Sequence, residues 1–322
     1  GGDMEVELSL TPTDHSVRQS EWRERVATTA SLRPLFHPQA VAVIGASRAP
    51  QSIGYRLLDA LSSNGFHGRC YAINPHAATI AGMQTYPSLL ALPEPVDLAV
   101  IAVPKDAVIS VVDDCAATGV RALVVITAGF AEVGAEGRRL QGQLLEKVRQ
   151  QGLRMVGPNC FGILNTDPAV RLNATFASTF PLAGSIAMSS QSGALGLALL
   201  AASERLQLGL STFVSVGNKA DVSVNDLLQY WENDPATRVI LLYVESFGNP
   251  RRFAQIARRV SRNKPIVVLK AGRTSSGKRA AGSHTAALAA NDVAVEALFQ
   301  QTGILRAETL EDMFALAAGL SD

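Results

Sequence analysis

The chain has 322 residues, enough for about two domains with buried cores. Its 47% hydrophobic and 18% charged residues argue against disorder, and 29 basic against 28 acidic residues leave a net charge of +1, too small a balance to mark nucleic acid or an anionic membrane as a partner. No apolar run approaches the ~20 residues that span a bilayer, and the polar start is unlike a signal peptide.

Gly1 stands where an initiator Met would, so Gly1-Gly2-Asp3 reads as a scar or an internal cut, and the chain as a piece of a longer polypeptide. Residues 1–32 read as a linker or tail. Within them Asp14 to Ser31 is charged and helix-prone, with Val17, Trp22 and Val26 at loose helical spacing, leading into Leu32-Arg33-Pro34-Leu35-Phe36.

Residues 33–164 read as a first domain of alternating strand and helix. Strands are expected at Val41 to Gly45, Cys70 to Asn74, Asp97 to Val103, Ala122 to Thr127 and Leu153 to Val156. Helices are expected at Ile53 to Leu61, Ala107 to Thr118 and Ala135 to Gln151. Short continuous apolar strands alternating with helices predict an α/β fold built on a doubly wound parallel sheet, whose ligands gather at the carboxyl ends of the strands.

Those ends are informative. Gly45-Ala46-Ser47 follows the first strand, with Gly54 nine residues after Gly45. The GxGxxG fingerprint is absent, but small residues and free amides at a helix start favour a phosphate. The second strand ends in Asn74-Pro75, the third in Val103-Pro104-Lys105 and the fourth in Thr127-Ala128-Gly129-Phe130. Each alone reads as an ordinary turn; four in succession favour a nucleotide-like ligand. Gly157-Pro158-Asn159-Cys160-Phe161-Gly162 closes the domain, and a stretch rich in Asn, Thr, Ser and Pro over 165–183 reads as the loop-like boundary.

Residues 165–322 read as a second α/β domain. Strands are expected at Ser185 to Ser189, Phe213 to Val216, Val239 to Glu245 and Pro265 to Lys270. Helices are expected at Ala194 to Leu206, Val224 to Trp231, Arg251 to Arg262, Thr285 to Thr302 and Leu310 to Leu320. Ser190-Gln191-Ser192-Gly193-Ala194 joins the first strand to its helix. Ser192 could be a nucleophile or part of a phosphate cradle; GxSxG is not met and no acid or base is local, so the residues favour the cradle. Gly272-Arg273-Thr274-Ser275-Ser276-Gly277-Lys278-Arg279 nearly matches a P-loop, but Arg279 replaces the magnesium-binding Ser/Thr. Its basic residues would neutralise phosphates or solvate a loop.

His284 is the only histidine after position 76. A lone loop histidine is usually structural. Here it follows the strand ending at Lys270, and Glu245 ends the neighbouring strand, within reach of the imidazole. A carboxylate on one ring nitrogen makes the other more nucleophilic, the arrangement a phosphohistidine enzyme needs, with Ser192-Gly193 holding the phosphate. No residues assemble a metal site. Cys70, Cys115 and Cys160 are odd in number and form no CxxC pair, so they read as small core residues of a cytoplasmic protein.

In order along the chain stand VAVIGAS, AINP, AVPKDAV, TAGFAEVG, GPNCFGILN, SQSGALG, VSVGNKADVSVNDLL, YVESF and KAGRTSSGKRAAGSHTAAL. Over about 33–320 this set resembles the first two domains of NDP-forming acyl-CoA synthetases, relatives of the succinyl-CoA synthetase α subunit. The resemblance implies a Rossmann-like CoA-binding domain followed by a flavodoxin-like domain of succinyl-CoA synthetase type. It implies coenzyme A or acyl-CoA at Gly45, Ser47, Asn74, Pro75, Val103 and Pro104, with Asn159 near the acyl-phosphate and thioester centre. It makes His284 the phosphorylated histidine, Glu245 its supporting carboxylate, and Ser192-Gly193 the phosphate-holding terminus. ATP or ADP is then handled only by an ATP-grasp domain or subunit, a required partner; the resemblance suggests homo-oligomer assembly through the second domain, and the sequence leaves the oligomeric state open. Two departures stand out. Ala286 replaces the glycine of the family's SHTGSLAG, and Ala128 stands where the succinyl-CoA synthetase α subunit has glutamate, with Glu132 a few residues on. A charged stretch ahead of such a region also resembles bacterial protein lysine acetyltransferases in which an upstream GNAT domain is fused to a CoA-sensing regulatory module, the alternative expectation.

Overall fold

A computed structural model describes residues 13–271 and 292–321. The chain enters through α1 (Asp14–Phe36), capped by the Thr13 hydroxyl, which accepts from the Ser16 N–H. The helix runs unbroken into the LRPLF segment. Its buried end is Leu32, Leu35 and Phe36, whereas Val17, Trp22 and Val26 are exposed.

The first sheet holds β1 (Ala40–Ile44), β2 (Arg69–Ile73), β3 (Thr79–Ile80), β4 (Met83–Tyr86), β5 (Leu98–Ile101), β6 (Ala122–Val125) and β7 (Arg154–Val156). Their order is β3-β4-β2-β1-β5-β6-β7. All neighbours pair in parallel except β3, antiparallel at the edge. Every residue of β1, β5 and β6 is buried, because helices cover both faces of the sheet. On one face α2 (Ile53–Ser63) and the end of α1 pack Leu57, Leu61 and Phe36 over Val41 and Val43. On the other, α3 (Lys105–Ala117) and α4 (Ala135–Gln150) pack Val112 and Leu144 over Ala42 and Ile44.

The second sheet holds β8 (Gly162–Asn165), β9 (Leu172–Thr175), β10 (Ala183–Ser190), β11 (Leu210–Ser215), β12 (Val239–Val244), β13 (Ile266–Lys270) and β14 (Leu305–Ala307), in the order β14-β13-β12-β10-β11-β8-β9. Strands β10 to β14 are parallel, and β8 and β9 add an antiparallel hairpin. One face carries α5 (Gly193–Arg205) and α9 (Leu310–Ser321); the other carries α6 (Val224–Asn233), α7 (Pro250–Val260) and α8 (Asp292–Thr302).

The hairpin is the clearest departure from expectation. The stretch 165–183 reads as loop, yet it contains β9, and β8 starts at Gly162 in the second sheet. Polarity hid these strands. Asn165, Asn173 and Thr175 are all buried. Asn165 Nδ2 donates to the Phe36 carbonyl at 2.8 Å, and Thr175 Oγ1 donates to Asn173 Oδ1 at 2.7 Å, whereas Asn173 Nδ2 is buried with no hydrogen-bond partner among the described residues. The short strands β3, β4 and β14 at or near the sheet edges are likewise absent from the sequence reading.

Candidate functional site

The carboxyl ends of β1 and β2 meet the start of α2. Gly45 has φ +93°, and a side chain there would stand 2.5 Å from the Ala102 carbonyl oxygen. A side chain at Gly54 would stand 2.1 Å from the Gly45 carbonyl oxygen. The two glycines therefore let the helix start lie directly on the strand end. Asn74 braces this corner, donating through Nδ2 to the Ala46 carbonyl at 2.7 Å and accepting from the His76 N–H at 2.7 Å. A cavity of about 220 Å³ opens beside it, lined by Gly45, Asn74, Pro75 and Val103 together with Pro87 and Ser88. Ser47 lines neither this cavity nor the larger one, and its hydroxyl accepts from the Ala49 N–H at 3.2 Å.

Val103 also lines a second cleft of about 1000 Å³ between the sheets. There the structure brings together Val103, Pro104, Asn159, Ser192, Gly193 and Glu245. Asn159, in the left-handed region at φ +56°, is pinned from both sides. Its N–H donates to the Thr127 carbonyl at 2.9 Å, and its Nδ2 to Asn218 Oδ1 at 3.3 Å.

Ser192 is the N-cap of α5, its hydroxyl accepting from the Leu195 N–H at 3.3 Å. That occupation suits a cap rather than a nucleophile. The first two amides of the helix, on Gly193 and Ala194, have no intrahelical acceptor and border the cleft. Glu245 follows β12. Its N–H and that of Ser246 both donate to Gln191 Oε1, at 2.8 and 3.0 Å, while Gln191 Nε2 donates to the Ser246 carbonyl at 2.7 Å. Ala271 donates to the Val244 carbonyl at 2.8 Å, so the chain leaves β13 beside Glu245. His284 lies outside the described residues, as do Gly272 to Arg279 and Ala286.

Several polar residues around the cleft have no role in the sequence reading. Glu132 accepts from the Gly129 and Phe130 amides at 2.5 and 3.2 Å and from Asn218 Nδ2 at 2.5 Å, a link between the two sheets' loops. Burial pushes its carboxyl up, but these hydrogen bonds outweigh burial and hold it below the usual range. Lys219 donates to the Ser246 carbonyl and hydroxyl at 2.6 and 2.5 Å. Burial pulls its ammonium down to about 8, with Glu245 raising it and Lys270 lowering it. The GNKAD run and the glutamine of SQSG were the available signals for Asn218, Lys219 and Gln191. Cys70, Cys115 and Cys160 are free thiols pushed up to about 12 by burial, which suits core residues. Among the described residues no helix is long and apolar enough to cross a membrane.

Residues 39–166 match a family model described as CoA binding domain, and residues 183–320 match one described as succinyl-CoA ligase like flavodoxin domain. The chain is 45% identical over 296 residues to subunit alpha of acetate–CoA ligase (ADP-forming) I from Pyrococcus furiosus, covering 91% of this chain and 64% of that one. It is 44% identical to acetate–CoA ligase (ADP-forming) I from Archaeoglobus fulgidus, covering 89% of this chain and 41% of that one. Among solved structures, the dinucleotide-forming acetyl-coenzyme A synthetase 1 of Ca. Korarchaeum cryptofilum, in complex with phosphate and ADP, superposes with a TM-score of 0.85 at 47% identity, covering 90% of this chain and 62% of that one. The chain thus spans less than two thirds of the length of these relatives.

Proposed function

The chain belongs to the succinyl-CoA synthetase α-subunit-like family of NDP-forming acyl-CoA synthetases, and from that premise we propose that it is the coenzyme A-binding and phosphohistidine-carrying portion of an ADP-forming acyl-CoA ligase. The observation that carries this reading is the cleft on which Asn159, the Ser192-Gly193 helix start and Glu245 converge, joined through Val103 to the small cavity at Gly45, Asn74 and Pro75.

In this reading the nucleotide end of coenzyme A lies at Gly45, Ser47, Asn74 and Pro75, and its thiol arm passes Val103 and Pro104 to Asn159. Inorganic phosphate sits against the Gly193 and Ala194 amides. A phosphate oxygen attacks the thioester carbonyl, a C–O bond forms, the C–S bond breaks, and coenzyme A leaves as thiolate. The imidazole of His284 then attacks the phosphorus of the acyl phosphate; an N–P bond forms and the acid leaves as carboxylate. Glu245 orients the imidazole and stabilises its positive charge. Phosphohistidine passes its phosphoryl group to ADP on an ATP-grasp domain or subunit, the partner this reading requires. These relatives are ligases, and they lend no support to a CoA-sensing module of an acetyltransferase fusion.

The test is ATP formation from acetyl-CoA, phosphate and ADP by the full-length protein together with its ATP-grasp part. ATP should form, and His284→Ala should abolish it. Unchanged ATP formation by His284→Ala would refute the phosphohistidine route.

A further inference from the structure

Lys219 has an unusual position for a lysine. It occupies the left-handed region at φ +46°, a conformation unfavourable for any side chain with a Cβ. The surrounding turn enforces it. Asn218 N–H donates to the Pro158 carbonyl at 2.9 Å, Lys219 N–H to Val216 at 2.9 Å, and Ala220 N–H to Gly157 at 3.1 Å. At Gly217 a side chain would stand 2.4 Å from the carbonyl oxygens of both Pro158 and Asn159, so the turn lies flat on the Asn159 loop. The backbone is thus held in a costly shape that carries the Lys219 side chain to the cleft wall, half-buried, beside Glu245 and Ser246.

The ammonium is under-partnered there. It has three N–H donors, and the described residues supply two acceptors, both on Ser246. No carboxylate of the described residues lies within 4.0 Å of it, although the protein forms such pairs elsewhere, as Arg154 does with Asp221 at 3.0 Å. Glu245 acts on it only at longer range, and a half-buried cation with no carboxylate in direct contact is incompletely stabilised by the protein alone. The same cleft wall carries the amides at the start of α5, so a cation and a helix N-terminus border one space, an arrangement that favours an anionic ligand. The Ser246 carbonyl already accepts from Gln191, so holding that turn does not require the lysine.

Building on the reading above, we infer that Lys219 is a phosphate-binding residue of this site, its third N–H donating to an oxygen of inorganic phosphate, and of the phosphoryl group of the acyl phosphate, held against the Gly193 and Ala194 amides. Its contribution falls on the anion and not on the nucleotide end of coenzyme A, whose small cavity Lys219 does not border. Arginine, with a fixed charge and a similar reach, should substitute in part; methionine, of similar shape and no charge, should not.

The experiment uses the full-length protein with acetyl-CoA and inorganic phosphate, following phosphoenzyme by intact mass at neutral pH. The half-saturating concentrations of phosphate and of acetyl-CoA are measured separately for wild type, Lys219→Met, Lys219→Gln and Lys219→Arg, with melting curves on each. Loss of one charge-assisted hydrogen bond should raise the phosphate requirement about tenfold or more in the Met and Gln variants, while that for acetyl-CoA stays within about twofold. Arginine should recover most of the loss. A phosphate requirement unchanged in both uncharged variants, in a wild type that does form phosphoenzyme, overturns the role of Lys219 and leaves the ligase reading standing. A wild type that binds coenzyme A but takes up no phosphate overturns both.

Discussion

Gln191 spends one buried side chain on the backbone of the residue that matters next to it. Its oxygen accepts from the amides of both Glu245 and Ser246, and its NH2 donates to the Ser246 carbonyl. The turn that carries Glu245 therefore stays put when Lys219 is replaced, which makes Lys219 separable from the scaffold. Burial lowers its pKa from 10.5 to about 8, so the unfolded chain binds this proton more tightly than the folded one. Holding the lysine charged is unfavourable throughout the range below about 8, and that cost fades as pH rises from about 8 towards 10.5. Lys219→Met should therefore be at least as stable as wild type at pH 7, with the difference shrinking by pH 10, as read from urea denaturation midpoints. A variant clearly less stable at pH 7 would contradict the account. At this scale the sequence was half legible. Glu245 and Ser192 stood out because their residue types carry chemistry at strand ends. Gln191 and Lys219 did not, because their roles depend on hydrogen bonds to residues more than twenty positions away.

Among the elements, β1 and α2 set the geometry of the corner proposed to take coenzyme A. The helix start approaches the strand end so closely that any Cβ at Gly54 collides with backbone, which cannot swing aside as a side chain can. Gly54→Ala should cost about 2–3 kcal/mol of stability as an overpacking change and weaken coenzyme A binding about tenfold in a calorimetric titration. Wild-type affinity would mean that this corner does not hold the ligand. The alternation of apolar strands and helices made most of both parallel sheets readable in advance. The β8–β9 hairpin was not, because its buried positions include Asn165, Asn173 and Thr175, and the hydrogen bonds that Asn165 Nδ2 and Thr175 Oγ1 make are not revealed by any local pattern.

For the whole molecule, the sheets are not two separate cores. One buried cluster runs from Leu32, Phe36 and Val41 through Val124 to Val214, Ile240 and Val268 of the second sheet. Arg154 reinforces the join. From β7 it reaches Asp221 and Asp226, each at 3.0 Å, and the Ser31 hydroxyl of α1 at 2.6 Å. Helix α1 is tied in further by Phe36 stacked on Tyr230 at 4.4 Å between ring centres. Arg154→Met would leave two partly buried carboxylates without their cation. It should cost about 2–3 kcal/mol, measured by urea denaturation, somewhat below the ~3–5 kcal/mol of a fully buried pair. Fluorescence and circular dichroism should report a single transition, because the shared core couples the sheets. Two separate transitions would show that the sheets fold as independent units. The charge pattern of α1 pointed to a linker; its anchoring lies in partners on β7 and α6 that sequence spacing does not bring together.

The central claim is that the cleft hands phosphate from an acyl-CoA to a histidine of this chain. The direct measurement is the intact mass of the full-length protein after incubation with acetyl-CoA and inorganic phosphate at neutral pH, with His284→Ala and Glu245→Gln alongside. The account predicts that wild type gains the mass of one phosphoryl group, that Glu245→Gln gains it far more slowly, and that His284→Ala gains none. A wild type that binds coenzyme A yet stays unmodified, or an equal gain in His284→Ala, would contradict it.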